Sequence, residues 1–212
     1  MIAAAAPCRS AVPPTPPGKE STCYPTQRYA ELDKADDTAL AHANSDLEQV
    51  AGVVSDAGAA RICLYGPAGT RKSAYALHRA RQRGPTLHAC RASDLLSRYV
   101  GESEKLIARA FLDAQREGAT LMIDEVDGLI QDRQYAARNW EVTQLNEVLM
   151  QLDAIEGALI ATANLLERVD PAALRCVDLK IGFDDLRPEQ ARALLERECS
   201  LKHMPVRRAG FV

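Results

Sequence analysis

From about Leu40 the apolar residues fall into short blocks whose spacing alternates between a helical and an extended period. Leu47, Val50, Ala51 and Val54 recur at helical spacing, with Asn44 or Ser45 as N-cap and Gly58 beyond the end. Arg61–Tyr65 reads as a buried strand, followed by a Gly-rich turn and a helix from Lys72 to Arg81. Thr86–Ala92 is a second strand, and Glu102–Gln115 a helix with Leu106, Ile107, Ala110 and Phe111 on one face. Ala119–Ile123 is a third strand. Trp140–Leu152 is a helix whose Leu145, Val148, Leu149 and Leu152 share a face. Ala158–Ala163 and Leu179–Phe183 complete the strands, and Pro188–Ser200 closes as a helix with Leu194, Leu195 and Cys199 on one side. Strands separated by helices predict an α/β fold: a parallel sheet of about five strands, helices on both faces, right-handed crossovers.

Composition changes this picture at the ends. Pro7, Pro13, Pro14, Pro16, Pro17 and Pro25 stand among Ala, Ser and Thr, which favours extended backbone with nothing to pack. Residues 1–39 are therefore expected to form a disordered leader, 40–186 an α/β core and 187–212 a last helix plus tail. The 212 residues suit one domain with an appendage. A net charge of −3 gives no basic field, which argues against a general nucleic-acid binder. Aromatics at 5% argue against a base-stacking surface or an all-β sandwich. The six cysteines form no C-x-x-C pair and no zinc spacing, so free thiols in a reducing compartment are expected. No apolar run approaches the ~20 residues of a membrane span, and Met1–Pro7 lacks the basic start of a signal peptide. A cytoplasmic chain without membrane partners is the expectation.

Candidate chemistry begins at Gly66, Pro67, Ala68, Gly69, Thr70, Arg71, Lys72 and Ser73. The run nearly fits the P-loop pattern G-x-x-x-x-G-K-S/T, in which backbone N–H groups cradle phosphate at a helix N-terminus. Lys72 is placed to reach the β/γ-phosphates of ATP and the Ser73 hydroxyl to hold Mg²⁺. Arg71 is the departure, because the pattern asks for Gly there. A left-handed backbone at Arg71 costs ~1–2 kcal/mol, although its charge suits an anion.

Some fifty residues on, Leu121-Met-Ile-Asp-Glu-Val-Asp127 is an apolar strand ending in acids, the Walker B arrangement. Its carboxyl end is expected beside the P-loop, where open parallel sheets bind ligands. Asp124 is the expected Mg²⁺ partner and Glu125 the general base for an attacking water.

With Asp94-Leu-Leu-Ser-Arg-Tyr-Val-Gly-Glu-Ser-Glu-Lys105, Ala161-Thr-Ala-Asn164 and Asp170-Pro-Ala-Ala-Leu-Arg175, these motifs occur in the order of the AAA+ ATPases. The chain resembles that family over about Leu40–Glu198, most closely the katanin-, spastin- and Vps4-like branch and related bacterial AAA ATPases. The resemblance implies an ATP-hydrolysing motor that remodels protein substrates in a homo- or hetero-oligomeric ring, a hexamer in the family. It implies that Asn164 positions the nucleophilic water as sensor 1. It implies that Tyr99 is the pore-loop aromatic gripping a polypeptide, with Gly101 allowing the loop to bend. It also implies that Arg175 is a trans-acting arginine finger, a device contributing roughly 10³–10⁵ in rate among P-loop enzymes.

The likeness departs from the family in two further places. Arg175-Cys176-Val177-Asp178 keeps one arginine where the branch has two, and Pro188–Ser200 could supply only the first helix of the family's helical lid. These departures support a second function: a nucleotide-binding or scaffolding subunit that does not hydrolyse ATP. A decayed remnant would share them, but decay does not selectively spare Asp124, Glu125 and Asn164. Remaining residues read as ordinary structure. Arg79, Arg81 and Arg83 solvate a helix surface, His42, His78, His88 and His203 are too scattered for a metal site, and Trp140 is expected to anchor its helix on the core.

Overall fold

The computed structural model describes residues 42–43, 59–84, 86–99, 101–135 and 139–201. The leader, the helix expected over 44–57 and the tail beyond Leu201 lie outside the described residues. Among the described residues six strands form one sheet: β1 (His42–Ala43), β2 (Ala60–Tyr65), β3 (Leu87–Arg91), β4 (Thr120–Asp124), β5 (Ala158–Ala163) and β6 (Leu179–Asp184), in the order β1-β6-β2-β5-β4-β3. The last five run parallel. β1 is an addition to the expected set. It pairs antiparallel with β6, His42 opposite Asp184, and two residues are too few to show a period.

The helices are α1 (Lys72–Arg83), α2 (Glu102–Glu117), α3 (Asn139–Ala154), α4 (Pro171–Cys176) and α5 (Pro188–Leu201). α4 was not legible from periodicity because six residues are under two turns. Its start signals were nonetheless present: Pro171 in the first turn, and Asp170, whose carboxylate accepts the Ala172 N–H at 2.8 Å. None of these helices is long and apolar enough to cross a membrane.

Strand residues alternate between two cores, as a period of two requires. Cys63, Leu121, Ile123, Leu159 and Ala161 face the layer of α2, α3 and α4, meeting Ile107, Phe111, Leu145 and Val148. Ile62, Leu64, Met122, Ile160 and Ile181 face α1, meeting Tyr75, Ala76, Leu77 and Ala80. Helices therefore cover both faces. Trp140 does not anchor α3 on the core: it is 40% exposed. The buried side chains of α3 are Gln144, Leu145, Val148 and Leu152, and position 140 lies about a quarter turn from the centre of that face.

The carboxyl ends of β2, β4 and β5 lie along one edge of the sheet. β2 stands between β5 and β6, while the chain leaving it travels to β3 at the far side. This reversal of strand order is where open α/β sheets form a ligand crevice. The opposite end is closed by a clasp. The Arg61 guanidinium donates to Asp178 at 2.9 and 3.2 Å and to the Leu152 carbonyl at 3.1 Å, and the Arg61 N–H donates to Asp178 at 2.8 Å. These bonds, chiefly the side-chain one from Arg61, hold the Asp178 carboxyl below its ordinary value of 3.8. A depressed carboxyl stabilises the fold above that ordinary value and loses the contribution as pH falls through the folded one. Asp178 is half exposed, so Asp178→Asn is expected to remove no more than about 1 kcal/mol at pH 7. Thermal melts should show the gap between parent and variant closing as the pH is brought below 3.8.

Candidate functional site

The loop Gly66–Ser73 leaves β2 and enters α1. Gly66 has φ +138°, and a Cβ there would sit 2.0 Å from the Phe183 carbonyl oxygen, so the chain can turn against β6 only as glycine. Gly69 has φ +87°. Arg71 is left-handed, φ 67° and ψ 20°, which is the conformation that makes a side chain there costly. Among the described residues no side chain caps α1, whose first-turn N–H groups have no intrahelical acceptor by the geometry of a helix start. Lys72 is buried at 5% exposure, and its ammonium donates to the Gly66 and Pro67 carbonyls at 2.7 Å each. Thr70 Oγ1 donates to the same Pro67 carbonyl at 2.8 Å. Burial pulls the Lys72 pKa down, opposed by the nearby carboxylates of Asp124, Asp127 and Glu125.

Asp124 ends β4 at 2% exposure. Ser73 Oγ donates to its Oδ1 at 2.6 Å, joining the loop to the acidic strand end across 51 positions of sequence. Glu125 follows in the left-handed region, φ 59°, and is exposed. Asn164, just past β5, is half-buried, and its N–H donates to Asp127 Oδ1 at 3.2 Å. The ends of β2, β4 and β5 thus bring together the residues expected to share one site. An ammonium, an uncapped helix start, a hydroxyl and a carboxylate suit a polyphosphate carrying a divalent cation, since Mg²⁺ takes hard oxygen ligands and keeps phosphate oxygens among them. The fit is poorest at Arg71.

Tyr99 and Arg175 stand outside this network among the described residues. Tyr99 is 72% exposed on the turn before α2. Ser97 builds that turn: its hydroxyl donates to Glu102 at 2.7 Å and accepts the Tyr99 N–H at 3.2 Å. Gly101 enters α2 with φ +80°. Arg175 is exposed in the last turn of α4. The neighbouring Cys176 turns inward, its thiol 3.2 Å from Asp153 Oδ1 and 3.3 Å from the Ala172 carbonyl, and burial, with the Asp153 hydrogen bond, pushes its pKa up.

Two residues of the network carried no role in the sequence reading. Thr162 Oγ1 donates to Asp124 Oδ1 at 2.5 Å and accepts the Glu125 N–H at 3.0 Å. A lone hydroxyl inside the apolar strand Ala-Leu-Ile-Ala-Thr-Ala was the available signal, since a buried hydroxyl needs partners. Asp127 was visible as the third acid of the Asp124–Asp127 run.

The sequence pattern of the ATPase family associated with various cellular activities (AAA) matches residues 62–185, more than half of the chain. The chain belongs to the AAA family. Among curated relatives, this AAA chain is 30% identical over 149 residues to an AAA ATPase forming ring-shaped complexes from Bifidobacterium animalis subsp. lactis, covering 63% of this chain and 28% of the relative. It is 31% identical over 142 residues to spastin of Drosophila erecta, covering 63% of this chain and 19% of spastin. The AAA chain therefore spans less than a third of the length of these relatives. Among solved structures, a chain of the HORMA:CdnC:Trip13 complex of E. coli MS115-1 superimposes with a TM-score of 0.58 at 22% identity, covering 85% of this chain and 63% of the other. That likeness concerns the fold.

Proposed function

We infer that this AAA chain binds ATP with Mg²⁺ and hydrolyses its β–γ phosphoanhydride to drive remodelling of a protein substrate, as one subunit of a cytoplasmic oligomeric ring. The observation that carries the reading is the Ser73–Asp124 hydrogen bond at 2.6 Å, which puts a P-loop hydroxyl and a Walker B carboxylate at one point. When bound, Mg²⁺ neutralises charge developing on the transferring phosphoryl group. Ser73 and Asp124 would hold it. Lys72 exchanges its loop carbonyls for phosphate oxygens, and the first N–H groups of α1 take the remainder. Glu125 accepts the proton of the water that attacks the γ-phosphorus as the bond to the bridging oxygen breaks. Asn164 orients that water, and Arg175 of a neighbouring subunit steadies the transferring group. Tyr99 grips the polypeptide. Ring assembly is supported by the Bifidobacterium relative, an AAA ATPase forming ring-shaped complexes.

A second reading, a non-hydrolysing nucleotide-binding or scaffolding subunit, is favoured by the left-handed Arg71. Thermal melts of the parent and of Arg71→Gly with millimolar Mg·ATP separate a chain that binds nucleotide from a purely scaffolding one, and phosphate release separates hydrolysis from binding alone. Relief of the left-handed strain is expected to raise the unliganded Tm of Arg71→Gly by roughly 2–4 °C, about 1 kcal/mol. Saturating nucleotide, at about 100 times its Kd, adds about 2.7 kcal/mol of stability to any version that binds it. The hydrolysis reading expects a shift in both proteins, larger in Arg71→Gly. A shift only in Arg71→Gly supports the scaffold reading, and none in either contradicts nucleotide binding altogether.

A further inference from the structure

The hydroxyl of Thr162 sits where β4 and β5 part. Their pairing ends at Ile123 opposite Ala161, so Asp124 and Thr162 are the next residues on each strand. Beyond this point Glu125 turns β4 out of the sheet through a left-handed backbone, and its N–H is lost to the ladder. Thr162, 2% exposed, takes that N–H at 3.0 Å on a lone pair. It spends its one proton on Asp124 Oδ1 at 2.5 Å, the same oxygen that receives Ser73 Oγ at 2.6 Å. Two residues further along β5's exit, the Asn164 N–H binds Asp127 Oδ1 at 3.2 Å, so the two turns are tied twice.

We propose that Thr162 is a positioning residue of the site: one hydroxyl fixes the direction of the Asp124 carboxylate and the left-handed backbone from which Glu125 projects. Its catalytic consequence rests on the hydrolysis reading above, whereas the structural clamp does not. A hydroxyl is the right group because the task needs a donor and an acceptor on one atom. Serine supplies both. Valine keeps the shape of threonine and supplies neither.

The test compares full-length parent, Thr162→Val and Thr162→Ser by steady-state phosphate release, by Mg·ATP titration and by amide hydrogen exchange resolved at Glu125. Thr162→Val is expected to lower kcat about 10- to 100-fold through misplacement of the reacting groups, with a smaller loss of Mg·ATP affinity because the Asp124 carboxylate it steers would also hold the cation. Its Glu125 amide, left without an acceptor, should exchange at least about tenfold faster. Thr162→Ser should stay near the parent in all three. Should Thr162→Val not fold, Thr162→Ala carries the same comparison. Parental kcat and parental Glu125 exchange in Thr162→Val overturn the proposal, and so does a serine variant as impaired as the valine one. A parent that releases no phosphate contradicts the hydrolysis reading instead. The Glu125 amide then decides the clamp alone: faster exchange in valine but not serine supports it, and equal exchange in all three overturns it.

Discussion

Glu125→Gln is expected to lower ATP turnover by about 10²–10⁴-fold, the range a positioned general base supplies, with Kd for Mg·ATP nearly unchanged. Glutamine keeps the shape and the left-handed backbone of the residue while removing the carboxylate proposed to take the proton. Glu125 is exposed and its peptide is held by Thr162, so the substitution leaves the fold's buried contacts in place. The same variant tests assembly when mixed with Arg175→Ala. Each chain alone lacks one component of the reaction. A mixed interface pairs an intact base on one subunit with an intact arginine on the next, so mixing should recover part of the lost phosphate release. Wild-type turnover by Glu125→Gln would remove the base from the mechanism. Absence of recovery on mixing would remove Arg175 from trans action.

Gly66→Ala is expected to destabilise the fold by about 3–5 kcal/mol, combining backbone strain at a glycine-only angle with overpacking. The added Cβ would lie 2.0 Å from the Phe183 carbonyl oxygen, and its other close neighbours, the Phe183 carbonyl carbon and N at 2.9 and 3.2 Å, are backbone too. No rotamer change relieves such a contact. For the loop to accommodate it, β6 must shift away from β2. For a chain of this size the loss corresponds to roughly 10 °C in Tm, which scanning calorimetry resolves directly. Gly69→Ala is the control: its Cβ would meet nothing within 4 Å, so only the strain of φ +87° applies and the loss should be about 1–2 kcal/mol. Equal losses in the two variants would contradict the packing account of Gly66.

The elements most legible in the sequence were those whose hydrophobic period ran long enough to be read. β4 is buried at every position and ends in Asp124, and α2 buries Ile107, Ala110 and Phe111 as the spacing predicts. β1 and α4 escaped because two and six residues cannot display a period. Trp140 departs from its expected place on the core because its position on α3 lies off the face that buries Leu145, Val148 and Leu152. Within the site, Arg71 illustrates the strength of local reasoning. The pattern's demand for Gly foretold a left-handed angle, and the backbone there has φ 67°. Thr162 and Asp127 illustrate its limit. Their roles depend on which strands become neighbours: the Asp124–Thr162 contact spans 38 positions and the Asp127–Asn164 contact 37. Motif spacing identifies the groups, whereas the strand order decides which hydroxyl reaches which carboxylate.

We propose that the ends of β2, β4 and β5 form a hydrolytic ATP site completed by a neighbouring subunit. Phosphate release by the purified full-length chain, followed over a protein concentration series with Mg²⁺ and with EDTA, tests it most directly. Release is expected only with Mg²⁺, with an activity per chain that rises with concentration as subunits associate. Release no faster with Mg²⁺ than with EDTA at every concentration would contradict it.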